Sequence, residues 1–167
     1  MIRKKEAAWL AVTFVGSIAL DQWFKFWIRA HIPLNAAAAE ELPLLRGVVH
    51  LTHIHNYGAA FGMLQGGRWA FLALLAAFCV MVVWAIKSRW LPTPFARFLA
   101  VLATGGAIGN GIDRFFYGYV VDMFEVEFMN FAIFNIADAF LCVSAALFVV
   151  WTLLYKEEKP NESDASL

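Results

Sequence analysis

The sequence predicts a mainly α-helical membrane protein, with four transmembrane helices and a small β-sheet lying outside them. Three observations carry that prediction. Hydrophobic residues make up 62% of the 167 positions against 16% charged, which is too apolar for an ordinary soluble domain. Four runs come near the roughly 20 apolar residues that cross a hydrocarbon layer of about 30 Å. Two of the stretches between those runs are rich in Val, Ile, Phe and His and partly alternate, as half-buried strands do.

The first span is predicted over residues 7–28, the second over 69–86, the third over about 95–112 and the fourth over about 135–155. The third has the shortest uncharged stretch and contains Thr104-Gly105-Gly106, so it spans only if packed against neighbours, where small residues permit close approach. The start, Met1-Ile2-Arg3-Lys4-Lys5, resembles the basic end of a secretory signal peptide. No small-x-small cleavage site closes the following run, which continues into Asp21-Gln22-Trp23-Phe24-Lys25, so a retained first helix is expected. The sheet is expected from residues 44–56 and 119–128, resting on the outer ends of the helices. Residues 1–155 read as one membrane domain, and the polar residues 156–167 as a disordered tail.

Four spans put both termini on one side. Arg3, Lys4, Lys5, Lys87, Arg89, Arg97, Lys156 and Lys159 fall on that side, against Lys25, Arg29, Arg46, Arg68 and Arg114 on the other. The excess of positive charge places the termini in the cytoplasm. Across the chain 13 basic residues match 13 acidic ones, which leaves no basic surplus for a nucleic-acid partner. Cys79 and Cys142 each sit inside an apolar run, as small hydrophobes rather than a disulfide framework.

Charged residues within a membrane span are costly and mark function by default. Here they converge. The first span carries Asp21 and Lys25 near its outer end, the third ends in Asn110, Asp113 and Arg114, and the fourth begins with Asn135 and Asp138. All three sets reach one depth. Each also has a structural reading: Asp21 and Lys25, four apart, can pair on one helix face; Asp113 and Arg114 can close the third span at the interface, the Arg snorkelling to headgroups; Asn135 and Asp138 can form an N-cap with its acidic partner. Asp122 stands apart, as an acid within Val120-Val121-Asp122-Met123-Phe124 on a predicted strand. Two carboxylates in a weakly solvated pocket cannot both ionise easily, so one keeps a proton. That state suits peptide hydrolysis by an activated water, with Asn56, Asn110, Asn135 and Arg114 as candidate orienting donors.

These residues resemble the bacterial lipoprotein signal peptidases, or signal peptidase II. The resemblance rests on Asp21-Gln22 with Lys25, Asn56-Tyr57-Gly58-Ala59-Ala60-Phe61, and Gly105-Gly106-Ala107-Ile108-Gly109-Asn110-Gly111-Ile112-Asp113-Arg114. Val120-Val121-Asp122 and Phe134-Asn135-Ile136-Ala137-Asp138 complete it. It implies four transmembrane helices with an extracytoplasmic sheet cradle and a short interfacial helix. It also implies an aspartic endopeptidase of the bacterial inner membrane, with Asp122 and Asp138 as the catalytic pair and Asp21, Lys25, Asn56, Asn110, Arg114 and Asn135 shaping the site. The implied substrate is a diacylglyceryl-modified prolipoprotein cut just before its lipidated cysteine near the outer face, with membrane lipids around a monomer and no cofactor. Phe24 departs from the small polar residue common at its position. Glycines 58, 62, 66 and 67 suggest a loop able to move or to approach lipid closely.

Three other readings compete. His50, His53 and His55 suggest a metal, but on a strand only His53 and His55 share a face, short of a zinc ligand set, so no metal is expected. A non-enzymatic membrane carrier could use the same buried acids, although none lies evidently at the midplane of the second span. A purely structural four-helix anchor leaves Asn110, Asp122 and Asp138 without a reason for their cost.

Overall fold

Every apolar run becomes a helix; the first three helices are longer than their runs, and the fourth ends within its run. The computed structural model describes residues 3–35, 42–58 and 66–155. Within them lie α1 (Lys4–His31), β1 (Leu42–Leu45), β2 (Val49–Asn56), α2 (Arg68–Lys87), α3 (Pro94–Tyr117), β3 (Val120–Val126) and α4 (Ile136–Leu154). All four helices are long and apolar enough to cross a membrane. Their outward faces carry bare hydrophobic side chains, with Val12, Val80 and Leu153 each 70% exposed or more, as expected where lipid is the solvent. No fifth helix occurs among the described residues, so the short interfacial helix implied by the resemblance is not found there. The expected tail at 156–167 and Gly62 lie outside the described residues.

The predicted strand region at 44–56 resolves into two strands. Gly47, at φ +75°, takes the left-handed conformation that glycine tolerates and turns β1 back onto β2. The sheet runs β1-β2-β3 and is antiparallel throughout. It rests on the end of α1: Ile28 and Ile32 bury against Leu51, Val121 and Met123, flanked by Phe24, Trp27, Tyr119 and Phe124. Phe24 earns its unusual size here, stacking on Phe124 with ring centroids 5.6 Å apart.

The third span was expected to end near Ile112, with Asp113 and Arg114 at the interface. Instead α3 continues to Tyr117 and stops at Gly118, whose φ of +81° ends it in a left-handed cap. Asp113 therefore lies inside the helix and is fully buried. The physical reason is pairing: its carboxylate finds a buried ammonium, described below, and needs no water.

α3 is the centre of the bundle, packed against α1, α2 and α4. Some 44% of its apolar window is buried, against 17% or less for the other spans. Its glycines make that possible. A Cβ on Gly106 would stand 2.6 Å from the Ala137 carbonyl oxygen of α4, while side chains at Gly105 and Gly111 would meet Ser17 of α1 and Leu75 of α2. Association between membrane helices depends on such close packing, since lipid supplies no hydrophobic drive between them.

Gly106→Ala should therefore lower stability by about 1–3 kcal/mol through overpacking against backbone that cannot move aside. Gly16→Ala, where nothing lies within 4 Å, should be neutral or gain up to about 1 kcal/mol. Thermal unfolding in detergent compares the two; equal midpoints would contradict the packing argument.

Candidate active site

The polar residues gather where the ends of α1 and α3, the start of α4 and strands β2 and β3 meet. α4 begins with a capping box: Asn135 Oδ1 accepts from the Asp138 backbone N–H at 2.9 Å, and Asp138 Oδ2 accepts from the Asn135 backbone N–H at 3.2 Å. This is the cap expected from the sequence. It fixes the Asp138 side chain relative to the helix end.

Asn135 has a second task. Its side-chain Nδ2 donates to Asp122 Oδ1 at 2.6 Å and to Asn110 Oδ1 at 3.1 Å. One fully buried residue thus holds both carboxylates, Asp138 through its backbone and Asp122 through its amide. Asn56 Nδ2 donates to the other Asp122 oxygen at 2.9 Å, and Asn110 Nδ2 donates to Asp138 Oδ1 at 2.7 Å. Asp122 reaches this place from β3, opposite Ile54 in the register with β2. That pairing also presents Asn56 on the same face, two residues along the strand from Ile54.

The two acids differ in exposure. Asp122 is 1% exposed, whereas Asp138 is only partly buried. Burial, and then the nearby Asp138 charge, push the Asp122 carboxyl up to about 7, against the opposing hydrogen bonds from Asn56 and Asn135. A buried acid that keeps its proton near neutral pH beside a more accessible acid is the arrangement that separates donor and base roles.

Behind the pair sits a buried ion cluster. Lys25 Nζ lies 2.9 Å from Asp21 Oδ2 and 3.2 Å from Asp113 Oδ2, and donates to Asn110 Oδ1 at 2.8 Å. The i,i+4 pair expected of Asp21 and Lys25 forms, but it is half of the arrangement. Lys25 also fixes which way the Asn110 amide faces, so that its NH2 end points at Asp138. The sequence marks Asp113 only as part of the polar end of the third span and gives Gln22 no role; Gln22 Nε2 reaches Asp21, Asp113 and the Gly109 carbonyl at 3.0–3.2 Å. Their sequence signal was only their place beside motif residues. The partner lies 88 positions away for Asp113 and on another helix.

Arg114 does not snorkel outward. Its Nη2 donates to the Gly58 carbonyl at 2.8 Å, and its guanidinium lies over the Phe71 ring at 4.3 Å. It therefore ties α3 to the end of β2 and to α2. Further along the loop, Gly66 donates its backbone N–H to the Tyr57 carbonyl at 3.1 Å.

The histidines are occupied elsewhere. His53 Nδ1 bonds the Ile32 carbonyl at 2.9 Å, His55 stacks on Tyr119 at 3.6 Å, and His50 lies between Glu125 and Glu127. Among the described residues no three His, Cys, Asp or Glu side chains group as metal ligands.

A four-helix membrane bundle whose two acids are bridged by one asparagine at one end defines an integral membrane peptidase of the aspartic type. Residues 13–154 match the family model described as signal peptidase (SPase) II, and the chain belongs to that family. It is similar to the lipoprotein signal peptidase of Streptococcus thermophilus, with 40% identity over 154 residues covering 89% of this chain and 94% of that one. The lipoprotein signal peptidase of Streptococcus agalactiae is 42% identical over 146 residues, covering 84% of this chain and 88% of its own. A solved bacterial membrane enzyme, determined by the in meso method at 2.3 Å resolution, superposes with a TM-score of 0.77 at 26% identity, over 92% of this chain and 95% of that one. The carrier and anchor readings give way to an enzyme.

Lys25→Met should destabilise the protein by roughly 3–5 kcal/mol, because it leaves two buried carboxylates without their cation. Unfolding in graded SDS measures this; a variant as stable as the parent would show the cluster to be dispensable.

Proposed function

We propose that this enzyme removes signal peptides from diacylglyceryl-modified prolipoproteins, cutting just before the lipidated cysteine, with Asp122 and Asp138 as its catalytic pair. The observation that carries the reading is Asn135, which bonds both carboxylates at 2.6 and 3.2 Å. A pair held by one residue can share one water and one scissile carbonyl. Asp21, Lys25, Asn56, Asn110, Arg114 and Asn135 hold it in place.

Asp138, the more open acid, is charged and takes a proton from a water, which attacks the scissile carbonyl carbon. Asp122, the buried acid, holds its proton and hydrogen-bonds the oxyanion as the carbonyl π bond opens. When the intermediate collapses, the C–N bond breaks and a proton from the pair passes to the leaving nitrogen. The pair returns to its starting state with one proton. The chemistry requires neither a nucleophile from the chain nor a metal.

The excess of Lys and Arg on the side of the termini supports a cytoplasmic location for both ends and an active site near the outer face of the inner membrane. A substrate anchored by two acyl chains in the outer leaflet carries its scissile bond at that depth. Both acids come from one chain, which supports a monomer, with residues 1–155 as the working unit.

Asp122→Asn and Asp138→Asn should each cut the cleavage rate by roughly 100- to 10,000-fold, the range for loss of a general acid or base. The assay is mass spectrometry of a lipidated lipobox peptide mixed with purified enzyme. Cleavage at the same bond within tenfold of the parent in both variants would end this assignment.

The raised Asp122 carboxyl sets an alkaline limit. The one-proton pair is the active form, so kcat/KM should fall as pH rises through about 7 and the proton is lost. Asn56→Ala removes a donor that favours ionised Asp122, so the limb should move to higher pH; a shift downward would contradict the role given to Asn56.

A further inference from the structure

We infer that Asp113 is a positioning residue for the reaction: with Asp21, Lys25 and Gln22 it forms a buried bracket that sets the spacing of the two reacting aspartates through the backbone residue preceding each. The inference rests on the dyad proposed above and adds how its geometry is fixed.

The bracket shows a correspondence between its two ends. Asp113 Oδ2 accepts the backbone N–H of Val121 at 3.1 Å, and Asp21 Oδ1 accepts the backbone N–H of Ala137 at 3.0 Å. Val121 is the residue before Asp122, and Ala137 the residue before Asp138. Each buried acid therefore grips the main chain one step from one member of the pair. Because a side chain leaves its own Cα, fixing the preceding peptide fixes where that side chain starts.

The two acids are in turn fixed to each other. Lys25 spans them at 2.9 and 3.2 Å, and Gln22 Nε2 spans them again at 3.2 Å to each. Asp21, Lys25 and Asp113 are all fully buried, so these links operate in a medium of low dielectric where they are strong and directional. The third Lys25 proton goes to Asn110 Oδ1 at 2.8 Å, which uses every donor of the ammonium. The strand and the helix, already linked by Asn135 to Asp122 and by the Phe134 bonds, are joined a second time through one polar unit. No member of that unit has a hydrogen bond to Asp122 or Asp138 side-chain oxygens, so it sets their position through the main chain, while the Lys25 charge also acts on the Asp122 carboxyl, lowering it.

The test is kinetic and local. Asp113→Asn should fold, lower kcat by about 10- to 100-fold, the cost of misplacing reacting groups by about an ångström, and leave KM within about twofold. Its Val121 amide should exchange hydrogen faster than in the parent. Glu6→Gln, which breaks the Glu6–Arg97 ion pair of 2.6 Å away from the site, should leave kcat unchanged even if it costs stability. A folded Asp113→Asn with kcat within twofold of the parent overturns the inference. If that variant does not fold, Gln22→Leu takes its place, since it loosens one cross-link and keeps every charge paired. A several-fold drop in kcat supports the bracket, and unchanged kcat overturns it. Asp122→Asn run in parallel separates the two claims. Its inactivity beside a fully active Asp113→Asn defeats the bracket alone, whereas its activity defeats the dyad while the Val121 exchange still reports on the tether.

Discussion

A lysine without access to water governs this structure. An isolated ammonium at the depth of Lys25 would cost many kcal/mol, so the fold must bring it acceptors. It brings three: Asp21 from its own helix, and Asp113 and Asn110 from α3. Meeting that demand fixes the rotation and depth of α1 against α3. It also explains Gly109, where an added Cβ would stand 2.5 Å from Asp21 Oδ2. The absent side chain and the buried carboxylate are two halves of one fit, so the small residues of α3 serve electrostatics as much as packing.

From this fixed frame the rest of the site is built with amides. Asn110, Asn135 and Asn56 carry no charge, so they orient carboxylates without forcing ionisation as an adjacent cation would. That choice suits the proposed pair, which works with one proton. Cationic groups stay one layer back: Lys25 saturates acceptors that are not the reacting oxygens, and Arg114 is engaged with Gly58 and Phe71.

What the sequence disclosed divides by range. Spans were legible because length and hydropathy are local properties, and the capping box at Asn135 and Asp138 because both bonds lie within one turn. The Asp21–Lys25 pair was legible from its i,i+4 spacing. The end of α3 was misread one turn early, because Asp113 and Arg114 look like interface markers until their inward partners are known. Those partners lie on other elements, and no spacing rule announces a contact between residue 25 and residue 113. Gln22 stayed silent for the same reason. The hairpin between β1 and β2 was read as one stretch, although Arg46-Gly47 carried a turn signal.

The segment between β3 and α4 closes on itself. The Phe134 carbonyl accepts from both Met123 and Phe124, at 3.0 and 2.8 Å, and the Phe134 N–H returns a bond to the Phe124 carbonyl. Both acids belong to the final third of the sequence, and one of them to the first turn of α4. A ribosome makes that helix after the other six described elements. Until it is threaded into the bilayer, the proposed pair lacks one of its two carboxylates, and the proposed hydrolysis waits on the insertion of that helix.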